Sequence, residues 1–487
     1  MLKSLVLILA VAAQPAVDQW PGFLGGAASK LDGASLPLKW SPVDNQPWAS
    51  VIPGFGQSSP VIFKTQAYVT SVDGPKKDDL IVTAYKITDG KQVWSAKFPT
   101  SDPVVNGTFV SRAAPTPVVD EQGVFCFFES GDLVALSHAG EKIWQTSLSK
   151  TYGRFTNDYG LAASPVQTSD SVIVLVDHPK GPSYILALSK RDGQVQWKTE
   201  RSSRGSWSSP RLLTVAGAPT VVCSSAGSVD GYDPATGARR WSHEGVGGNR
   251  ICSPTITDSG LILIGSQTSR EFADADSVKK SNFALQVGNE SSAWSTRVAW
   301  RTEDFSPGMA SPVSHGGFAY WINRQGAVGC FREDTGEPVY TGRVAQAPWA
   351  TPLGAGDRLY VFGKDGLTTV LATGNEFRVL AENRLWDPDS IQPDQTIVDR
   401  ETDPRRKAAA AMHARPEVMG VAAINGTLLV RTGSKLHCLR QRTNQCQALI
   451  TLPTTILTQS TSFTAEPQAT AGPANRSVPS RPISARH

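Results

Sequence analysis

The sequence predicts an all-β protein, an eight-bladed β-propeller of four-stranded antiparallel blades closed by pairing its amino- and carboxy-terminal strands. Three observations carry that expectation. A small residue followed by proline recurs along the 487 residues, a glycine turn with an aromatic residue four positions later closes most of the same units, and the two ends of the chain complement one another. Self-similarity at a fixed spacing without helical periodicity is the mark of radially stacked sheets.

The unit openings are Ser59-Pro60-Val61, Thr116-Pro117-Val118, Ser164-Pro165-Val166, Ser209-Pro210-Arg211, Ser253-Pro254-Thr255, Ser311-Pro312-Val313 and Thr351-Pro352-Leu353. Each is followed by a β-branched or aromatic run, such as Val124-Phe125-Cys126-Phe127-Phe128 or Leu359-Tyr360-Val361-Phe362. A glycine turn and a second apolar run such as Asp132-Leu133-Val134-Ala135-Leu136 come next, so these read as successive strands of one sheet.

Units close on Gly90 to Trp94, Gly140 to Trp144, Gly193 to Trp197, Gly237 to Trp241 and Gly336 to Tyr340. The unit after Pro254 diverges, carries an insertion around residues 268–281 and ends on Val298-Ala299-Trp300. Glycine supplies the left-handed residue of a tight hairpin. One large flat side chain per unit is an inter-blade packing device, which assigns Trp48, Trp94, Trp144, Trp197, Trp241, Trp300 and Tyr340 to blade docking.

Closure follows from the ends. Residues 420–439 hold three strands with no ensuing turn and tryptophan, while Gln46-Pro47-Trp48-Ala49-Ser50-Val51-Ile52 precedes the first opening as a lone strand. Joining them makes an eighth blade and removes free sheet edges that invite aggregation. The expected organisation is a signal peptide over 1–13, a propeller over 18–450 with a polar insertion at 385–416 that includes a helical turn or two, and a disordered Ser/Thr/Pro-rich tail over 451–487.

Met1-Leu2-Lys3-Ser4 followed by about nine apolar residues and Val11-Ala12-Ala13 reads as an export signal. That run is too short to span a bilayer, which takes about 20 apolar residues, so a periplasmic or secreted chain without a transmembrane span is expected. With no cysteine before Cys126, a lipid-modified amino terminus is not expected. The formal net charge is +4, of which Lys3 contributes +1 and the tail after residue 450 contributes +2. The body is close to neutral, so no electrostatic case for nucleic acid exists.

Six cysteines are few, and none shows the C-x-x-C spacing of a zinc site. Cys438 and Cys446 are candidates for one disulfide across a hairpin. The seven histidines have no i, i+4 pair, against a zinc hydrolase. The serines ahead of proline lack a G-x-S-x-G elbow and recur blade after blade, which marks them as structural.

These openings and closures, with Gln19-Trp20-Pro21-Gly22-Phe23, resemble the pyrroloquinoline-quinone-like repeat proteins over about residues 18–440. Within that group the chain resembles the outer-membrane assembly propeller more than the quinone dehydrogenases. For a dehydrogenase the resemblance implies adjacent cysteines over the cofactor, a Ca²⁺ held by acidic and amide oxygens, and an Asp base. No two cysteines are adjacent, and the charges near strand openings are Arg112, Arg154, Arg204 and Arg250. Glu271, Asp274 and Asp276 cluster, but in an insertion.

The expected function is therefore a non-catalytic, monomeric scaffold that binds an envelope protein or peptide and carries no cofactor or metal. A quinone-dependent oxidoreductase of alcohols or sugars is the alternative, and a ligand-sensing domain a third. Side chains just ahead of the Ser/Thr-Pro openings are candidates for an axial binding face: Phe55, Gln57, Arg112, Tyr159, Trp207, Arg250, Met309 and Trp349. Arginine mixed with aromatics suits a protein-binding hot spot. The same residues also suit a bland role, with aromatics plugging the channel and arginines capping carbonyls.

Overall fold

A computed structural model describes residues 18–26, 31, 36–155, 159–267, 275–291, 293–399, 401, 404–424 and 426–441. The leader (1–13), the tail (451–487) and Cys446 lie outside them, so the Cys438–Cys446 pairing does too; Cys438 itself is buried.

Eight antiparallel sheets form a ring, and they coincide with the repeat units. Blades one to seven occupy residues 61–99, 118–147, 166–201, 211–246, 255–301, 313–343 and 353–384. In the middle strands almost every residue is buried, as in Asp132–Leu136 and Ser171–Val176, because neighbouring blades cover both faces. That explains apolar runs where a sheet with one wet face would alternate. Outer strands such as Gln92–Pro99 alternate between half-buried and exposed residues.

The eighth blade is the composite. Trp48–Val51 pairs antiparallel with Lys435–Arg440 in the register Trp48 to Cys438, Ala49 to His437, Ser50 to Leu436 and Val51 to Lys435. Thr427–Arg431 and Gly420–Ile424 complete it. One feature differs from the expected four strands per blade: Gln19–Trp20 adds a fifth strand to the first blade by pairing with Val61–Phe63. The apolar Trp20 side chain is buried there against Ile62 and the eighth blade.

From this strand the chain crosses one end of the ring. Val119 donates its N–H to the Pro21 carbonyl at 2.9 Å and Arg211 donates to the Gly26 carbonyl at 2.7 Å. On the far side Gly356 donates to the Leu31 carbonyl and Arg358 to the Leu36 carbonyl, each at 3.1 Å. The amino-terminal segment thus straps blades one, two, four and seven before entering the eighth.

Docking tryptophans join the rims of successive blades. Trp144 lies on Gly193 of the next blade's turn, where φ is 72° and an added Cβ would meet the indole at 2.8 Å. Its Nε1 donates to the Lys190 carbonyl at 2.7 Å. Trp48, Trp94, Trp197 and Trp300 repeat the arrangement on Gly90, Gly140, Gly237 and Gly336, donating to Ile87, His138, Pro234 and Glu333. Trp241 is buried, yet its Nε1 has no partner among the described residues, since the corresponding hairpin of blade five holds no glycine turn. Tyr340 instead packs edge-on against Phe377.

The 385–416 insertion contains the short helices Gln395–Asp399 and Pro404–Met412. Among the described residues no helix is long and apolar enough to cross a membrane.

Two outcomes follow. Trp144→Ala removes a ring and a hydrogen bond from a seam and should lower unfolding free energy by about 3–5 kcal/mol in urea titration. His437 in the closing strand is held well below the usual imidazole range, at about 4, chiefly by burial and also by Lys435. The folded chain keeps it neutral while the unfolded chain protonates below its ordinary 6.5, so stability falls as pH drops from 6.5 towards 4. His437→Gln should remove about 3 kcal/mol from the change in unfolding free energy across that pH window, read by urea titration at each pH.

Candidate functional site

Around the axis, alternation along the first strand of each blade sorts side chains into two sets. Ser59, Thr116, Ser164, Ser209, Ser253, Ser311 and Thr351 face the channel, while the residues before them, such as Ser58, Ala163, Ser208, Cys252 and Ala310, are small and buried between blades. Each hydroxyl from Thr116 onward accepts the backbone N–H of the equivalent residue one blade earlier. The distances are 2.9 Å for Ser59 to Thr116, 3.0 Å for Thr116 to Ser164, 2.9 Å for Ser164 to Ser209, Ser209 to Ser253 and Ser253 to Ser311, and 3.2 Å for Ser311 to Thr351. In the eighth blade Gly420 takes this place, because a Cβ there would run into Ser59. The serines are inter-blade fasteners, and the chain of bonds explains why they recur.

The channel encloses a cavity of about 790 Å³. Trp20, Phe23 and Leu24 of the strap lie at the far ends of the first strands and form its floor. Arg211 is beside them, its guanidinium anchored on Gly26.

At the mouth, loops from consecutive blades are tied side by side. Gln57 and Arg112 exchange bonds, N–H of Gln57 to the Arg112 carbonyl at 3.0 Å and N–H of Arg112 to Gln57 Oε1 at 2.9 Å. Ser111 donates to the Tyr159 carbonyl at 2.8 Å, and Trp207 Nε1 donates to the Gly160 carbonyl at 2.9 Å. The Tyr159 and Trp207 rings meet edge-on with centroids 5.7 Å apart. Opposite them, Trp349 lies under Lys364 Nζ, 4.4 Å from the ring centre, and 5.6 Å from the His413 ring. His413 follows the second insertion helix and also touches the edge of Phe109 at 5.5 Å, so the insertion builds one wall of the mouth. Glu417 accepts from Lys364 at 2.6 Å and bonds His413 at 2.9 Å.

Six of the sequence candidates, Gln57, Arg112, Tyr159, Trp207, Met309 and Trp349, therefore line one cavity. Phe55 and Arg250 stand behind it. Phe55 is wedged against Gly433 with the Arg112 guanidinium 3.5 Å above its ring, and Arg250 offers its carbonyl to the Trp207 N–H at 2.5 Å. Sequence reasoning missed Phe109, His413, Glu417, Arg324 and Arg211. For Arg211 a signal was present: the residue after proline is apolar or threonine in the other openings. Among the described residues, no three His, Cys, Asp or Glu side chains gather to hold a metal ion.

Residues 40–176, 154–280 and 284–436 match the family model of the outer membrane protein assembly factor BamB. The chain belongs to the BamB family. Among solved structures, BamB from Moraxella catarrhalis is similar in fold at 16% identity and a TM-score of 0.53, covering 81% of this chain and 97% of that one. A quinohemoprotein alcohol dehydrogenase from Comamonas testosteroni matches at 12% identity and a TM-score of 0.42, covering 74% and 78%. A europium-containing methanol dehydrogenase matches at 11% and 0.41, covering 87% and 98%. No curated protein matches the chain.

Ser164→Ala deletes the acceptor for the buried Thr116 N–H. Chemical denaturation should show a loss of about 1–3 kcal/mol, the cost of one unsatisfied buried donor.

Proposed function

We propose that this chain is a non-catalytic scaffold, exported to the periplasm, that receives a segment of an envelope protein at the axial mouth. The observation that carries the reading is the mouth itself: Trp207, Trp349, Tyr159, Phe109 and Arg112 gathered around one cavity. Aromatic and arginine anchors around a concave centre are what binding hot spots use. Membership of an outer-membrane assembly family supports a partner in that process. The serines that face the cavity accept backbone N–H groups in the blade-to-blade chain, which accounts for them without a catalytic role.

The test is capture from an envelope extract by the purified full-length protein. Wild type should retain a defined partner, and Trp207→Ala with Trp349→Ala should weaken retention at least about tenfold, the loss of one modest hot spot. Trp294→Ala on the outer rim should not. Unchanged retention by the double variant overturns the assignment to the mouth. Dye-linked oxidation of alcohols or sugars on addition of the quinone and Ca²⁺ would overturn the non-catalytic reading.

A further inference from the structure

The floor of the cavity holds a charge that the fold does not require. Position 211 follows the blade-opening proline, and the equivalent residues elsewhere are Val61, Val118, Val166, Thr255, Val313 and Leu353. Six blades are thus built without a cation there. Arg211 is only 9% exposed. Its Nη2 donates to the Gly26 carbonyl, while its buried Nη1 has no acceptor among the described residues. No carboxylate pairs with it among the described residues, and the cavity's Glu417 is engaged at the mouth by Lys364 and His413. Burial lowers Arg211 to about 10, which leaves it cationic at neutral pH.

A buried charge without a counter-charge costs several kcal/mol, so a chain that retains one at a cavity wall departs from local consistency where function is expected. The rest of the lining is rich in donors. Trp20 Nε1 on the floor has no acceptor among the described residues. Ser209 and Ser253 accept backbone N–H groups and keep their own O–H protons to donate. An excess of donors and a cation, with the acidic group already neutralised, fits an oxyanion. The planar guanidinium fork fits a carboxylate best.

We propose that the deep end of the axial cavity is a carboxylate-binding site centred on Arg211. The ligand presents its carboxylate to the guanidinium and fills the 790 Å³ above it with an apolar body, a volume ordinary for a ligand pocket. The carboxylate comes from the carboxy terminus of a partner segment or from a free organic acid. The first source deepens the scaffold reading and rests on it; the site itself does not.

The experiment is titration calorimetry on the full-length protein with two matched pairs, 3-phenylpropanoate against 3-phenylpropanamide, and acetyl-Ala-Ala-Phe as free acid against its carboxy-terminal amide. In each pair that binds, the acid is expected to bind at least tenfold tighter than the amide. Arg211→Met should abolish the difference and Arg211→Lys should keep part of it. Because Arg211 also anchors Gly26, the acid-to-amide ratio on wild type stands as the primary readout and needs no variant. A free-acid peptide at least tenfold tighter than phenylpropanoate identifies a chain terminus as the source; equal affinities identify a small acid. Acids and amides binding alike, or neither acid binding at millimolar concentration, overturns the site. Acid selectivity with partner capture unchanged by the mouth variants would sink the assignment of the partner to the mouth and leave this site standing.

Discussion

The blade-to-blade bond from a backbone N–H to the next unit's hydroxyl is the constraint on which the rest of this molecule depends. It runs from Ser59 through Thr116, Ser164, Ser209, Ser253 and Ser311 to Thr351. A first strand beside an open channel would leave its leading amide facing a poorly hydrated space, and an unsatisfied buried donor costs about 1–3 kcal/mol. A short hydroxyl one blade on satisfies it without filling the axis. Proline next in line has no N–H of its own to satisfy. The same bond fixes the distance between neighbours and so keeps the channel wide enough to hold a cavity.

The outer rim solves a complementary problem. Blades diverge with distance from the axis, and at five seams the widening gap is filled by an indole resting on the bare backbone of the neighbouring turn, Trp48, Trp94, Trp144, Trp197 and Trp300. Glycine there serves both the left-handed turn and the close approach of the ring, as at Gly193 under Trp144. Where blade five lacks the turn, Trp241 Nε1 loses its acceptor although the ring is still buried. Packing area outlasts the hydrogen bond when the repeat decays.

The distinctive features of the cavity are concentrated where the repeat is broken. The strap that floors the channel, the insertion that brings His413 to the mouth, Gly420 in place of a hydroxyl and Arg211 in place of an apolar residue all lie outside the repeated pattern. A ring of identical units would have a symmetric and featureless axis. These departures set a cation beside the strap at one end and gather aromatic rings at the other.

Much of the fold was legible in the chain because propeller geometry is local: each unit carries its own opening, hairpin glycine and docking ring. Even closure was readable, since Trp48 with its lone strand and the three strands near Leu429 are each incomplete alone. Six mouth residues were found the same way, from standing a few positions ahead of the openings. The path of the strap, its extra strand at Gln19–Trp20, and the meeting of Phe109 with His413 were decided only in three dimensions. Those contacts join segments that no repeat spacing relates, some of them hundreds of residues apart, through backbone carbonyls and ring edges, which carry no periodic signature. Phe55 and Arg250, placed by offset alone, stand behind the cavity because the loops ahead of each opening differ in length and turn. Sequence dictated which units repeat and how the ring shuts; the tertiary structure determined what the axis holds, because convergence of single residues from eight blades has no expression along a chain.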